Sequence, residues 1–323
     1  MQANFPRACR RMSASLAGLG SSLMHHRSTF MISFERRSMY HAPDRFNTVM
    51  QLFDAHCHLQ DERLLPLLDT IMERADQAGV AGLMCCGSCE EDWARLPGIA
   101  RRFPKVRLSF GLHPWYSGGR SARWLARLRE NLTTTPSAVG EIGLDHALDK
   151  ETFPDQESVF LAQLHLAGEL RRPVTIHCRR AWGRLMELLD NNGWPAFGFV
   201  IHSYSGPAEW VEPLVRRGAY LSFSGAITFD QNRKGREAVT AVPLDYLLIE
   251  TDAPDLIPVL PAQATPLRDA DGRPTNEPAF LAGVLMTAAK LRNVPEDALA
   301  DATKKNAERL WGQDLGLGSS RTV

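Results

Sequence analysis

The 323-residue chain has no excess of charge of either sign, with 37 lysines and arginines against 37 aspartates and glutamates. This balance excludes a protein that grips long duplex DNA through its phosphates, because such a grip requires a basic face. No stretch approaches the roughly 18 apolar residues that a membrane-spanning helix needs, which excludes anchoring by such a helix. Cysteine is sparse and irregular, six residues at 9, 57, 85, 86, 89 and 178, and provides no disulfide framework. Cys86-Gly87-Ser88-Cys89 has the spacing of a metal knuckle, but no second pair completes a structural zinc site. No Gly-x-Gly-x-x-Gly turn follows an apolar run, which counts against a doubly wound dinucleotide-binding sheet, the alternative α/β fold. Internal repeats are absent. The expectation is a soluble, monomeric protein of the reducing cytoplasm with free thiols and no membrane contact.

Residues 1–49 differ in character from the rest. They carry seven arginines, no lysine and two acids, Glu35 and Asp44, among many serines. That composition resembles an organelle transit peptide, which would place the protein in a mitochondrion. The alternative is a native start at Met50, immediately before the first expected strand. In either case 1–49 are expected to lie outside the fold, 50–313 to form the folded domain and 314–323 a flexible tail. Without the extension 30 basic residues face 35 acidic ones, so a nucleic-acid substrate is expected to be held locally, at an end, and largely through bound cations.

Behind the extension, short apolar runs alternate with longer amphipathic segments. Strands are predicted at 51–55, 80–86, 106–111, 137–141, 173–177, 198–202, 219–223 and 245–250. The intervening segments have helical spacing, as in Leu64, Leu67, Leu68, Ile71 and Ala75. Eight strands separated by helices predict an α/β protein of the (β/α)₈ TIM-barrel type. A late helix is predicted to begin near Asn276-Glu277-Pro278 with Thr275 or Asn276 as its N-cap, and another to run over about 295–311.

What the chain does have is a set of metal-ligand residue types at the ends of these strands. His56-x-His58 follows the first, and in a strand that spacing points both imidazoles to one side. Glu141, His177, His202 and Asp252 recur at the ends of later strands, where the function of such a barrel sits. Histidines and carboxylates together suit borderline or hard divalent ions such as Zn²⁺, Mn²⁺, Co²⁺ or Mg²⁺. Six ligands exceed one tetrahedral site, and Glu141 is the carboxylate best placed to bridge two ions. Such a pair lowers the pKa of a bound water and polarises a phosphoryl or carbonyl group. Asp252 is placed to take the water's proton. Asp54 is read either as a partner steadying His56 or as a polar strand-end residue. His113, in Gly111-Leu112-His113-Pro114, is a candidate for substrate contact or for a structural turn. Arg179 can hold a phosphate oxygen or stand solvated. Ser203, Tyr204 and Ser205 line the pocket or cap a helix, capping being the reading for Ser205. Cys57 and Cys178 alternate with the ligands and are expected to face the helices.

The motifs Asp-Ala-His-Cys-His-Leu (54–59), Gly-Leu-His-Pro (111–114), Gly-Glu-Ile-Gly-Leu-Asp (140–145), Ile-His-Cys-Arg (176–179), Ile-His-Ser-Tyr-Ser-Gly (201–206), Ser-Phe-Ser-Gly (222–225) and Ile-Glu-Thr-Asp-Ala-Pro (249–254) resemble, in order, the TatD family of metal-dependent deoxyribonucleases within the amidohydrolase-like barrels. The resemblance implies a divalent-metal hydrolase, often a nuclease that removes nucleotides from DNA ends, and the expected partner is single-stranded DNA or a short nucleic-acid end. It implies that His56, His58, Glu141 and Asp252 hold one ion, that Glu141, His177 and His202 hold the other, and that His113 acts near the scissile phosphate. Trp115 stands where many members have a second histidine, and an aromatic there can stack on a base. Thr275 replaces the arginine that often precedes Asn276, leaving Arg273 as a substitute phosphate contact, and His146 replaces a frequent aromatic. Arg179, Trp115, Tyr204 and Asn276 are thus the candidates for holding substrate. Two other functions fit the same ligands: hydrolysis of a small amide, ester or lactone, and non-catalytic binding on a retained scaffold.

Overall fold

A computed structural model describes residues 50–312, and each of the eight predicted strands is present in it. They are β1 (Leu52–Cys57), β2 (Val80–Cys86), β3 (Val106–Phe110), β4 (Ala138–Asp145), β5 (Val174–Arg179), β6 (Phe199–Ile201), β7 (Ala219–Phe223) and β8 (Leu247–Ile249). Residues 1–49 and the 314–323 tail lie outside the described residues, and with them the transit-peptide and start-site expectations. The strands pair in parallel in the order of the chain, β1 through β8. The seam between β8 and β1 is bridged just past the end of β8, where Asp252 N–H donates to the His56 carbonyl at 3.0 Å and His58 N–H to the Ala253 carbonyl at 2.7 Å. The result is a (β/α)₈ barrel. Strands buried on both faces read as unbroken apolar runs, which is why they were visible in the sequence.

Alternation sorts the strand residues into two layers. Leu83, Cys85, Ile142, Leu144, Ile176 and Leu221 face the surrounding helices, together with Cys57 and Cys178 as the alternation predicted. Phe53, Met84, Val200, Tyr220 and Leu248 fill the barrel interior and pack on Ala307, Leu310 and Trp311 of the last helix, Glu296–Trp311. That helix lies under the strand starts: Asn306 Nδ2 donates to the carbonyls of Leu244 and Leu247 at 2.7 and 2.9 Å. One end of the barrel is therefore plugged by apolar side chains, and the open end is the one to which the strands deliver their C-termini. The late helix begins differently from the prediction. A 3₁₀ turn, Pro278–Phe280, with Glu277 at its N-cap, precedes the helix Leu281–Arg292, whose own N-cap is Phe280 and not Thr275 or Asn276.

β4 reaches the mouth only because Gly143 lets it pass β5. Gly143 has φ +150°, and a Cβ there would stand 2.0 Å from the His177 carbonyl oxygen. Gly143→Ala is accordingly expected to destabilise the fold by about 3 kcal/mol or more, since neither backbone can yield without moving a strand. Thermal unfolding checks this; a midpoint within a degree or two of the parent would contradict it.

Candidate metal centre

Glu141 is the centre of the site. It lies on β4, is buried, and presents its two carboxylate oxygens in different directions. Oε2 lies 3.3 Å from Nε2 of His56 and 3.3 Å from Nε2 of His58, and those two nitrogens are 3.1 Å apart. Asp252 Oδ1 completes this side at 3.8 and 3.6 Å from the same nitrogens. The edge of a tetrahedron with metal–nitrogen bonds of 2.0–2.1 Å is about 3.3 Å, so this spacing is that of donors around one ion. Oε1 faces Nδ1 of His177 at 2.9 Å and Nε2 of His202 at 2.6 Å, with those nitrogens 3.1 Å apart. His56, His58 and Glu141 form a group able to hold a metal ion, as do His56, His202 and Asp252. His58, His177 and Asp252 keep part of their surface open while His56, His202 and Glu141 are buried, so the cluster has one wet side.

The atoms turned away from the centre decide which nitrogens are free to coordinate. His58 Nδ1 lies 2.7 Å from the Cys86 carbonyl, an acceptor only, so Nδ1 carries the proton and Nε2 offers a lone pair. His202 Nδ1 lies 3.4 Å from Glu250 Oε1, and His177 Nε2 lies 3.5 Å from Asp145 Oδ2, each a carboxylate behind an imidazole. His113 has the opposite arrangement. Its Nδ1 accepts the Trp115 N–H at 3.2 Å, so the neutral ring carries its proton on Nε2, 3.3 Å from Glu141 Oε1. His113 can be grouped with Glu141 and His177 as a metal cluster by distance alone. The Trp115 N–H makes it a donor into the site instead. Burial pushes the His113 imidazole down to about 4, so the ring is neutral near pH 7.

Charge is arranged to match. Burial works against a charged Glu141, but the imidazoles of His202, His113 and His56 outweigh it and hold the carboxyl well below its usual range. Burial likewise works against charge on His58, where bonds to Asp252 and Glu141 prevail, and on His202, where Glu141 and Glu250 prevail. Both rings end well above the ordinary imidazole value.

The model of the family described as TatD related DNase matches residues 53–312. The chain belongs to this family. Among its relatives, the 3'-5' ssDNA/RNA exonuclease TatD of Escherichia fergusonii is 34% identical over 272 residues, covering 81% of this chain and 99% of that protein. A Bacillus subtilis protein named as an uncharacterized metal-dependent hydrolase, YabD, is 32% identical over 261 residues, covering 80% and 98%. The solved structure of YjjV, a TatD homolog from Escherichia coli, superposes with a TM-score of 0.74 at 30% identity, covering 82% of this chain and 99% of that one.

Within this TatD-family barrel several residues do not fall where the sequence placed them. Of the two readings of Asp54, the polar strand-end one holds, since its carboxylate does not meet the His56 ring. The register of β1 against β2 shifts between Asp54 and Cys57, which takes the Asp54 carboxylate to the β8 seam. There it accepts from Thr251 N at 2.9 Å, Thr251 Oγ1 at 2.5 Å and His56 N at 3.3 Å. Burial pushes Asp54 up to about 7 against the pull of those bonds. One carboxylate thus ties the segment carrying His56 to the segment carrying Asp252, which stands in a left-handed conformation at φ +57°. Asn276, expected on the substrate, is fully buried, and its amide donates to the carbonyls of Thr251 and Asp255, both at 2.7 Å. It clamps the same loop. Tyr204 is also buried, its hydroxyl donating to the Pro207 carbonyl at 2.8 Å and its ring edge-on to Trp182, so it supports the wall from behind. Ser205 caps nothing: Pro207 is the N-cap of the 3₁₀ turn Ala208–Trp210. Arg273 pairs with Asp271 at 2.9 Å in an exposed turn, and His146 stacks on Phe153. Arg179 and Trp115 do stand near the mouth, Arg179 Nη1 at 3.8 Å and Trp115 Nε1 at 2.6 Å from Asp145 Oδ2.

Asp145 and Glu250 were missed as working residues. Each is a carboxylate at the end of a barrel strand, the signal that marked Glu141, and each stands inside a motif already singled out, Gly-Leu-Asp and Ile-Glu-Thr-Asp.

Proposed function

We propose that this chain is a divalent-metal-dependent phosphodiesterase that removes nucleotides from the ends of single-stranded DNA, with His56, His58, Glu141 and Asp252 holding one ion and Glu141, His177 and His202 a second. The observation that carries this reading is Glu141, whose two oxygens face two separate sets of imidazole nitrogens. Zn²⁺, Mn²⁺, Co²⁺ and Mg²⁺ all accept donors of this kind. Divalent ions held by these residues would supply charge neutralisation at the phosphodiester and a lowered pKa for a water. The chain's own residues do the rest. Asp252, its side chain 15% exposed at the wet side, is placed to accept the proton that the attacking water gives up. His113, neutral with its proton on Nε2, donates to a phosphoryl oxygen as charge builds there. Arg179 at the rim is placed to meet a neighbouring phosphate. All the groups come from one chain, so a monomer suffices, and the described cysteines are unpaired, in keeping with a reducing cytoplasm. The name of the E. fergusonii relative supports attack from the 3′ end.

The test is the purified chain with Mn²⁺ or Mg²⁺ and a 5′-labelled single-stranded oligonucleotide, beside Asp252→Asn. The parent is expected to shorten the label stepwise, and Asp252→Asn to be slower by about 10²- to 10⁴-fold, the usual contribution of a positioned base. An Asp252→Asn protein with full activity, or a metal-loaded parent that leaves oligonucleotides intact while hydrolysing small esters or lactones, would sink this reading.

A further inference from the structure

We propose that Trp115 joins the grip on a terminal nucleobase to the seating of His177, through one carboxylate oxygen of Asp145. Trp115 is 42% exposed, and among the described residues Phe229 is the only other large aromatic of comparable exposure. The Trp115 ring meets His113 edge-on at 5.1 Å, and His113 Nε2 is 3.3 Å from Glu141, so an open indole stands one side chain away from the Glu141 carboxylate. An aromatic face there stacks on any base, and a strand end offers an unstacked one where a duplex interior does not.

The other end of the indole is anchored. Nε1–H donates to Asp145 Oδ2 at 2.6 Å, while Asp145 Oδ1 accepts the Ala147 N–H at 2.8 Å, which fixes the buried carboxylate's plane. The same Oδ2 lies 3.5 Å from His177 Nε2, an ion-pair contact too long and misaligned for a hydrogen bond as it stands, and that ring's opposite nitrogen faces Glu141. A carboxylate behind a ligating histidine sets its tautomer and its aim. Trp115, Asp145, His177 and Glu141 therefore form one line of contacts from the solvent to the second ion's donors. Asp145 is a positioning residue for His177, and Trp115 is both a specificity determinant for single-stranded ends and a positioning residue through its N–H. The stacking half rests on the nuclease reading; the metal half does not.

The experiment compares the parent with Trp115→Phe, Trp115→Ala and Asp145→Asn, titrating the metal-free proteins with Mn²⁺ by calorimetry and assaying a single-stranded oligonucleotide. Trp115→Phe keeps an aromatic face and loses the N–H: one binding event, that of the ion held on the His177 side, is expected to lose about 10- to 100-fold in affinity, with the other unchanged, kcat lowered and KM held. Asp145→Asn is expected to repeat that metal pattern. Trp115→Ala is expected to add about a tenfold rise in KM. Parent-like affinity for both ions in Trp115→Phe overturns the coupling, and an unchanged KM in Trp115→Ala overturns the base platform. A parent inert on oligonucleotides overturns the platform and the nuclease reading together, while the calorimetry still decides the coupling.

Discussion

Glu141→Gln is expected to remove both ions at once and to lower oligonucleotide hydrolysis by about 10³-fold or more. The magnitude follows from the several kcal/mol that bound metal supplies to a developing phosphoryl charge, at 1.36 kcal/mol per tenfold in rate. The change preserves side-chain volume but removes the one negative charge that lies within 3.3 Å of five imidazoles, those of His56, His58, His113, His177 and His202. Rings such as His58 and His202, held positive by that carboxylate, would be left buried with too little counter-charge. The metal-free variant is therefore expected to be less stable as well, by about 3–5 kcal/mol, the cost of breaking a buried pair by deleting one partner. Metal analysis and a thermal melt on the same sample separate the two effects. His177→Ala is the contrast: it touches only the Oε1 side, so one ion should remain. Two ions bound to folded Glu141→Gln, or full activity, would show that Glu141 is not the bridge.

The eight strands could be read from the sequence because a parallel barrel buries both faces of each strand, leaving unbroken apolar runs such as Val80–Cys86. The six converging residues could be read because the C-terminal ends of such strands meet at one mouth, so a ligand type at a strand end is placed by topology alone. Which of its two readings Asp54 would follow was not legible, for a physical reason. Its side is set by a register shift against β2, and a shift of one residue turns a side chain to the other face without leaving any mark in the hydrophobic pattern. Asn276 and Tyr204 escaped because polar loop residues next to a site have two uses, facing a ligand or satisfying buried carbonyls, and the sequence does not say which carbonyls the loop buries. The Thr251–Leu256 loop turns its carbonyls inward, and Asn276 is the side chain that meets them. The polar residues surrounding Asp252 hold it in place.

Lowering the pH from 7 to 6 is expected to weaken an ion held on the Oε2 side of Glu141 by about tenfold and one held on the Oε1 side by up to about a hundredfold. A metal ion takes a histidine only after its proton has left, and each displaced proton contributes about a tenfold change in affinity per pH unit. On the Oε2 side His58 is raised well above the ordinary imidazole value while His56 is lowered by its burial, so one proton must leave. On the Oε1 side His202 is raised well above it and His177 is also raised, so up to two must leave. The metal-free fold carries the opposite dependence. Folded-state values above the unfolded one mean that these rings stabilise the metal-free protein below about pH 6.5, and that this contribution fades as pH rises through the raised values. The metal-bound protein gains with pH where the metal-free protein loses. The rise in melting temperature on adding Mn²⁺ should therefore grow steadily from pH 6 to pH 8, and calorimetry in buffers of different ionisation enthalpy should show protons released as each ion binds. A melting increment that is flat across that range, with no proton release, would mean that the imidazoles around Glu141 are not the ligands.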